Sequence, residues 1–203
     1  RIHQTGVRMK RLFFLIISFL QLPIILLYML VSVVVGQSSR DSVFQSFMQF
    51  LSLAPGKIGS YQRNAFAHWV IKHWHWNSYI GFGALFSHTD TAIGEGVYIG
   101  PQCNIGKCSI GKDTLLGSGV HILSGKKQHD FARSDVPIRD QGGVFEKITI
   151  GENCWIGNGA IVMASVGSGS IVAAGAVVVN DVPSGVIVGG NPAKVIKTIK
   201  EET

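Results

Sequence analysis

From residue 80 onward an apolar residue recurs every six positions, usually with glycine behind it. The steps are Ile80-Gly81, Phe86-Ser87, Ile93-Gly94, Ile99-Gly100, Ile105-Gly106, Ile110-Gly111 (after a step of five), Leu116-Gly117 and Ile122. After a gap come Ile150-Gly151, Ile156-Gly157, Val162, Val172-Ala173 and Val178. A fixed short period marks a solenoid. Six residues are too few for a helix pair or a propeller blade, and suit one short strand plus a turn. Three such units close a triangular coil of about 18 residues, each apolar residue pointing inward, and stacked coils pair their backbones along the axis. Glycine or alanine after the apolar residue suits a bend at the corner. A β-sandwich would need alternating strands with turn signals at about 8–12 residues, which this sequence lacks. The fold expected is mainly β, a parallel β-helix over residues 78–190.

Residues 124–147 break the repeat with a polar stretch carrying Asp135, Pro137, Arg139 and Asp140, and one histidine, His129. A loop of this length in a compact repeat is functional or disordered.

The first 77 residues have a different texture. Leu12–Val35 is 24 residues without a charge, long enough to cross a hydrocarbon core of about 30 Å. The apolar region of a secretory signal is shorter, about 7–15 residues. Residues 1–40 therefore read as a hydrophobic membrane anchor, with Pro23 kinking it near the middle. Residues 41–77 read as amphipathic, interfacial helices. Val43, Phe44, Phe47, Met48 and Leu51 fall on one face of the first, which Pro55-Gly56 ends. Tyr61–Trp76 reads as the second, with Trp69, Trp74 and Trp76 near its end, set for a membrane interface or for packing over the coil. The C-terminal tail, 191–203, reads as helical.

The chain has 203 residues and a formal charge of +6, enough for one domain plus an appendage. Its basic residues are dispersed apart from an N-terminal cluster, and no DNA-reading motif is present. The charge thus points to a membrane surface or a phosphorylated ligand, not to nucleic acid. Cys103, Cys108 and Cys154 are odd in number and lack CxxC spacing, which fits small buried thiols in a reducing compartment. The chain opens at Arg1 without a methionine, which leaves room for a native segment ahead of it.

The repeat, the loop with its histidine, Asn153-Cys154-Trp155-Ile156-Gly157 and Gly190-Asn191-Pro192-Ala193-Lys194-Val195-Ile196 together resemble the hexapeptide-repeat O-acetyltransferases. The nearest flavour is the galactoside/maltose acetyltransferase branch, including enzymes of polysaccharide biosynthesis. The resemblance covers roughly residues 78–200. It implies a left-handed β-helix, a homotrimer with active sites between subunits, and acetyl-CoA as co-substrate with no metal. The implied reaction is direct transfer of acetyl to a sugar hydroxyl of a glycan or lipid-linked saccharide.

That chemistry needs a base for the hydroxyl proton, and a neutral imidazole suits it. His129 lies where the family's loop histidine falls and is the expected general base. Asp130, Glu146, Asp113 and a backbone carbonyl are all open as its orienting group. Trp155 matches the family's tryptophan beside the acceptor, with His121 and Asn104 as further acceptor candidates. By position, Asn158 and Ala174 match contacts to the pantetheine arm, and Lys194 and Lys197 match basic positions that meet the nucleotide phosphates. Val179-Asn180 departs from the family's usual pair and carries no role over.

The positive-inside rule keeps the N-terminus cytoplasmic, because Arg1, Arg8, Lys10 and Arg11 precede the apolar run while only Arg40 and Lys57 follow closely. A straight span would place the coil away from cytoplasmic acetyl-CoA. The expectation is a re-entrant or hairpin anchor turning at Pro23, with the coil on the cytoplasmic face of the inner membrane. Two alternatives belong to other classes. A γ-carbonic-anhydrase-like zinc enzyme would need His88, His121 and His129 to converge. A non-catalytic β-helix scaffold at the membrane would need none of these side chains. His68, His73 and His75 are spaced poorly for zinc on one helix face.

Overall fold

A computed structural model describes residues 2–199, with side chains from residue 8 onward. Four helices lead into the coil: α1 (Ile2–Leu20), α2 (Leu22–Val35), α3 (Arg40–Ser52) and α4 (Gly56–Val70). The first coil holds β1 (Tyr79–Ile80), β2 (Leu85–Phe86) and β3 (Ala92–Ile93), and the second β4 (Tyr98–Ile99), β5 (Asn104–Ile105) and β6 (Cys108–Ile110). The third holds β7 (Leu115–Leu116), β8 (His121–Ile122) and β9 (Ile148–Ile150), with the long loop between the last two. Two strands make each later coil: β10 (Trp155–Ile156) with β11 (Ile161–Val162), then β12 (Ile171–Val172) with β13 (Val177–Val178). β14 (Val186–Gly190) and β15 (Ala193–Thr198) close the molecule.

Equivalent strands stack in parallel into three faces: β1-β4-β7-β10-β12-β14, β2-β5-β8-β11-β13, and β3-β6-β9. Every apolar position of the six-residue repeat is at most 3 % exposed, so the periodicity fixes the core. The coil is not uniformly 18 residues, however. Val166 and Val182 continue the third face as single bridges, each four residues after Val162 or Val178. The third side is shorter because a lone bridging residue replaces a strand there.

The glycine behind each apolar residue answers to close approach, not to a bend. A Cβ on Gly157 would lie 2.4 Å from the backbone nitrogen of Ala174 in the next coil. The turn itself uses a different position: Gly159 has φ +66° with open space around it.

Three expectations are corrected. The second amphipathic helix ends at Val70, not Trp76. Trp74 instead bridges Ile93 in the first coil, because its indole donates to Asn64 Oδ1 at 2.7 Å and packs on Phe86 at 5.2 Å. The tail is not helical over its described part: β15 pairs antiparallel with β14. The last rung of a stacked sheet leaves an unpaired edge, and the returning strand covers it. The break in the apolar segment falls at Gln21, with Pro23 in the first turn of α2, where its missing N–H costs nothing. The axes bend by 56°, which does not by itself reverse the chain.

Among the described residues no single helix is long and apolar enough to cross a membrane, while Arg8–Leu20 and Leu22–Val35 pass that test only as a bent pair. One side of this pair is packed. Phe14 is 3 % exposed and meets His68 edge-on at 5.3 Å, and Tyr28 sits edge-on to Phe66 at 5.3 Å. The other side bares Leu12, Phe19, Leu26 and Leu30, each more than half exposed.

Arg63 locks the helices to the coil. It is fully buried and donates to Leu51 O at 3.0 Å, Ala54 O at 2.8 Å and Ile80 O at 3.0 Å. Burial lowers its pKa. No carboxylate faces the guanidinium among these contacts. The carbonyls at the C-terminal end of α3, which carry partial negative charge, answer it instead.

Candidate active site

The second face carries two of the expected site residues. The six-residue period places Asn104 and His121 at the outward positions of β5 and β8, where both are exposed and paired in register. Beside them is a hollow of about 340 Å³, whose lining includes Gln45, His88, Asn104, His121, Gln128 and Phe145. His88 is held by its neighbours: Nδ1 lies 2.8 Å from Ser87 Oγ, and the ring centroid lies 5.4 Å from that of Phe145. Burial lowers the His88 pKa, partly opposed by Asp41, and so favours the neutral ring.

The interrupting loop leaves the corner between the second and third faces. Its two arms close on each other through Glu146 N to Ser124 O at 2.9 Å, Val144 N to Lys127 O at 2.7 Å and Asp130 N to Gly142 O at 3.1 Å. Asp90 ties down the returning arm, accepting from Lys147 at 2.6 Å and facing Lys107 at 3.3 Å. These two partners pull the Asp90 pKa down, the Lys147 hydrogen bond most strongly.

Gln128 lines the hollow and His129 is the next residue. The His129 side chain is exposed on the loop, and no described side chain hydrogen-bonds to it. Asp130 and Glu146 lie on the same loop arms without reaching the ring. Asp113 sits at a different corner, between the third and first faces, where its N–H donates to Glu95 O at 2.8 Å. It therefore cannot orient His129 within one chain.

The other expected site residues lie elsewhere. Trp155 projects from β10 on the first face, 54 % exposed, in register with Leu115 and Ile171. The loop corner is opposite that face, so one chain does not bring Trp155 to His129. Asn158 and Ala174 stack in successive coils at the corner between the first and second faces, with Gly175 N donating to Asn158 O at 2.9 Å. Asn158 Oδ1 accepts from Ser118 N at 3.1 Å, so it also braces the coil. Gly119, Gly159 and Gly175 run down the same corner with open space at each, which leaves a bare backbone edge that a thin, extended chain can lie along. Lys194 and Lys197 are exposed on β15. That edge and those cations fit a pantetheine arm ending in phosphates.

His88 and His121 share the hollow, His129 lies outside its lining, and among the described residues no three His, Cys, Asp or Glu side chains are grouped to hold a metal. The three cysteines are free and buried, and burial pushes the Cys108 thiol up to about 12. Sequence reasoning missed Gln45 and Phe145. Gln45 reaches Ser87 O at 2.8 Å from a helix 42 residues away, and no local pattern encodes such a contact.

Residues 90–124 match the family model of the bacterial transferase hexapeptide (six repeats). The chain carries this hexapeptide repeat. A Dictyostelium discoideum protein named as an acetyltransferase is 40 % identical over 126 residues, which is 61 % of this chain and 55 % of that protein. The chain thus spans about half the length of this curated relative. Among solved structures, a maltose O-acetyltransferase from Clostridium difficile 630 is similar with a TM-score of 0.68 and 21 % identity, over 78 % of this chain and 86 % of that one. A hexapeptide-repeat acetyltransferase from Vibrio cholerae, complexed with acetyl coenzyme A, has a TM-score of 0.55 and 22 % identity, over 82 % and 92 % of the two chains. A galactoside acetyltransferase in complex with coenzyme A has a TM-score of 0.56 and 19 % identity, over 79 % and 82 %. At these identities the solved structures establish a shared fold.

Proposed function

We propose that this protein is an acetyl-CoA-dependent O-acetyltransferase whose coil is left-handed and whose acceptor is a sugar hydroxyl of a membrane-held saccharide. The observation that carries the reading is the broken repeat: the loop at residues 124–147 carries His129 directly after Gln128, and Gln128 lines the hollow together with Asn104 and His121. The relatives named above, with their acetyltransferase names and coenzyme A complexes, support it.

The co-substrate supplies an activated acetyl thioester. His129 takes the acceptor hydroxyl's proton as that oxygen attacks the thioester carbonyl. It returns the proton to the departing sulfur, so a C–O bond forms, a C–S bond breaks and the enzyme ends unchanged. Asn104 and His121 orient the acceptor by hydrogen bonds in the hollow. Asn158 and Ala174 line the pantetheine edge, and Lys194 and Lys197 meet the phosphates as point charges. The separation of Trp155 from His129 in one chain supports a homotrimer, in which the first face of one copy meets the loop of the next.

The bare apolar side of α1 and α2 supports membrane association, since contiguous exposed apolar surface of this kind marks a lipid or protein contact. The proposed location is the cytoplasmic face of the inner membrane. Replacing His129 with alanine tests the catalytic assignment. Turnover falls by roughly 10²–10⁴-fold, the usual worth of a general base, with acetyl-CoA affinity by calorimetry nearly unchanged. Near-normal turnover would refute it.

A further inference from the structure

A cleft between the helices and the first two coils is not used by the residues assigned to acyl transfer. It has two compartments, of about 390 and 410 Å³, that share Lys10, Lys57 and Tyr61. One compartment is apolar, walled by Met9, Phe13, Ile17 and Ile58. The other is aromatic and polar: Trp76, Asn77 and Ser78 line it with Tyr79 and Tyr98, whose rings stack at 4.7 Å and 3°. Lys10 comes from α1 and Lys57 from α4. Neither forms a salt bridge among the described residues, and no carboxylate lines either compartment.

Two unneutralised ammonium groups brought together from separate helices create a site for an anion, and lysine serves phosphate as a point charge. On one side of that site is apolar surface continuous with the bare flank of α1, where Phe13 and Ile16 are exposed. On the other is a wall of aromatic faces interspersed with amide and hydroxyl groups, the lining typical of a small polar ligand's pocket. The order apolar, cationic, aromatic-polar is the order of parts along a lipid-linked saccharide: hydrocarbon, phosphate, sugar. We propose that this cleft binds the lipid-linked acceptor itself. The phosphate sits between Lys10 and Lys57, the first sugar lies against Trp76 and Tyr98, and the start of the lipid runs along Phe13 and Ile17. A phospholipid would engage the lysines and the apolar wall and leave the aromatic compartment without a role. The inference rests on the acetyl transfer to a membrane-held saccharide proposed above.

The test is calorimetry on the full chain in detergent, without acetyl-CoA, using a short prenyl-pyrophosphate-linked monosaccharide. The comparison probes are the same prenyl pyrophosphate without sugar, the free sugar phosphate, inorganic phosphate, and vesicles of phosphatidylglycerol. The prenyl-linked sugar binds tightest of the five. The Lys10→Gln/Lys57→Gln double variant loses about tenfold or more in its affinity. Tyr98→Ala and Trp76→Leu weaken the sugar-bearing probe and spare the bare prenyl pyrophosphate. Equal affinity for the vesicles and the prenyl-linked sugar would reduce the cleft to a membrane contact and overturn the proposal, as would a double variant that binds normally. Each variant's acetyl-CoA affinity is measured in parallel and stays at the parent value. A parent chain that binds the prenyl-linked sugar but not acetyl-CoA would overturn the acyl-transfer reading and leave the cleft standing.

Discussion

Single glycines do two separate jobs in this coil, and substitution distinguishes them. Gly157 is needed because the next coil's backbone passes 2.4 Å from where its Cβ would be. Gly157→Ala therefore forces the coils apart and costs about 1–3 kcal/mol, the usual cost of overpacking. Gly159 is needed for its φ of +66°, and Gly159→Ala costs about 1–2 kcal/mol through left-handed strain. Asparagine relieves the second problem and aggravates the first. Asn153 and Asp113 already hold positive φ at the corner between the third and first faces. Denaturant midpoints should rank Gly159→Asn above Gly159→Ala and Gly157→Asn below Gly157→Ala. His88 gives a pH signature. Burial lowers its folded pKa below the ordinary 6.5, against the pull of Asp41 and Asp90 and with the help of Lys107. Its contribution to stability is thus complete above pH 6.5 and lost as pH falls through the lowered folded value. The melting temperature should drop between pH 7 and the acid side of that value, and His88→Gln should flatten this drop.

Arg63 links elements rather than side chains, joining the end of α3 to the first strand of the coil. Removing it leaves the carbonyls of Ala54 and Ile80 without that donor, while Leu51 O keeps the Ala54 N–H at 3.2 Å. Arg63→Met should destabilise by about 2–5 kcal/mol, from about 1–3 kcal/mol for each buried carbonyl that loses its donor. Limited proteolysis should then open the α3–α4 turn before the coil. Arg63→Lys should recover only part of the loss, because an ammonium cannot serve carbonyls on both elements with the guanidinium's fixed fork. The coil is legible in the sequence because each inward residue needs only its own side to face in, and a six-residue period states that directly. The end of α4 is not legible. Trp74 continues a plausible helical pattern, and its bond to Asn64, its packing on Phe86 and its bridge to Ile93 draw it into the coil. The tail misleads for a similar reason. Ala193–Thr198 is ambiguous locally, and the open edge of β14 decides it. Of the site, Asn104 and His121 follow from the period, whereas Gln45 and Phe145 arrive through contacts that depend on the assembled fold.

Across the whole molecule, the expected site residues fall on surfaces that point apart. Trp155 stands on the first face, while the loop with His129 leaves the opposite corner, after β8. If both act on one acceptor, they come from different copies, and that makes the assembly testable without a structure of it. His129→Ala and Trp155→Ala should each abolish most activity when expressed alone. Co-expressed in equal amounts, they form mixed trimers. A site regains both native residues when its loop comes from the Trp155 variant and its first face from the His129 variant. Random mixing makes this so at roughly a quarter of the sites of a closed ring. Activity should therefore return to about that fraction of the parent's, measured as acetyl transfer per chain. Mixtures of the two proteins purified separately, with no exchange of subunits, should stay inactive. If co-expression restores nothing, then both residues serve the same chain's site, and the shared-site assembly fails.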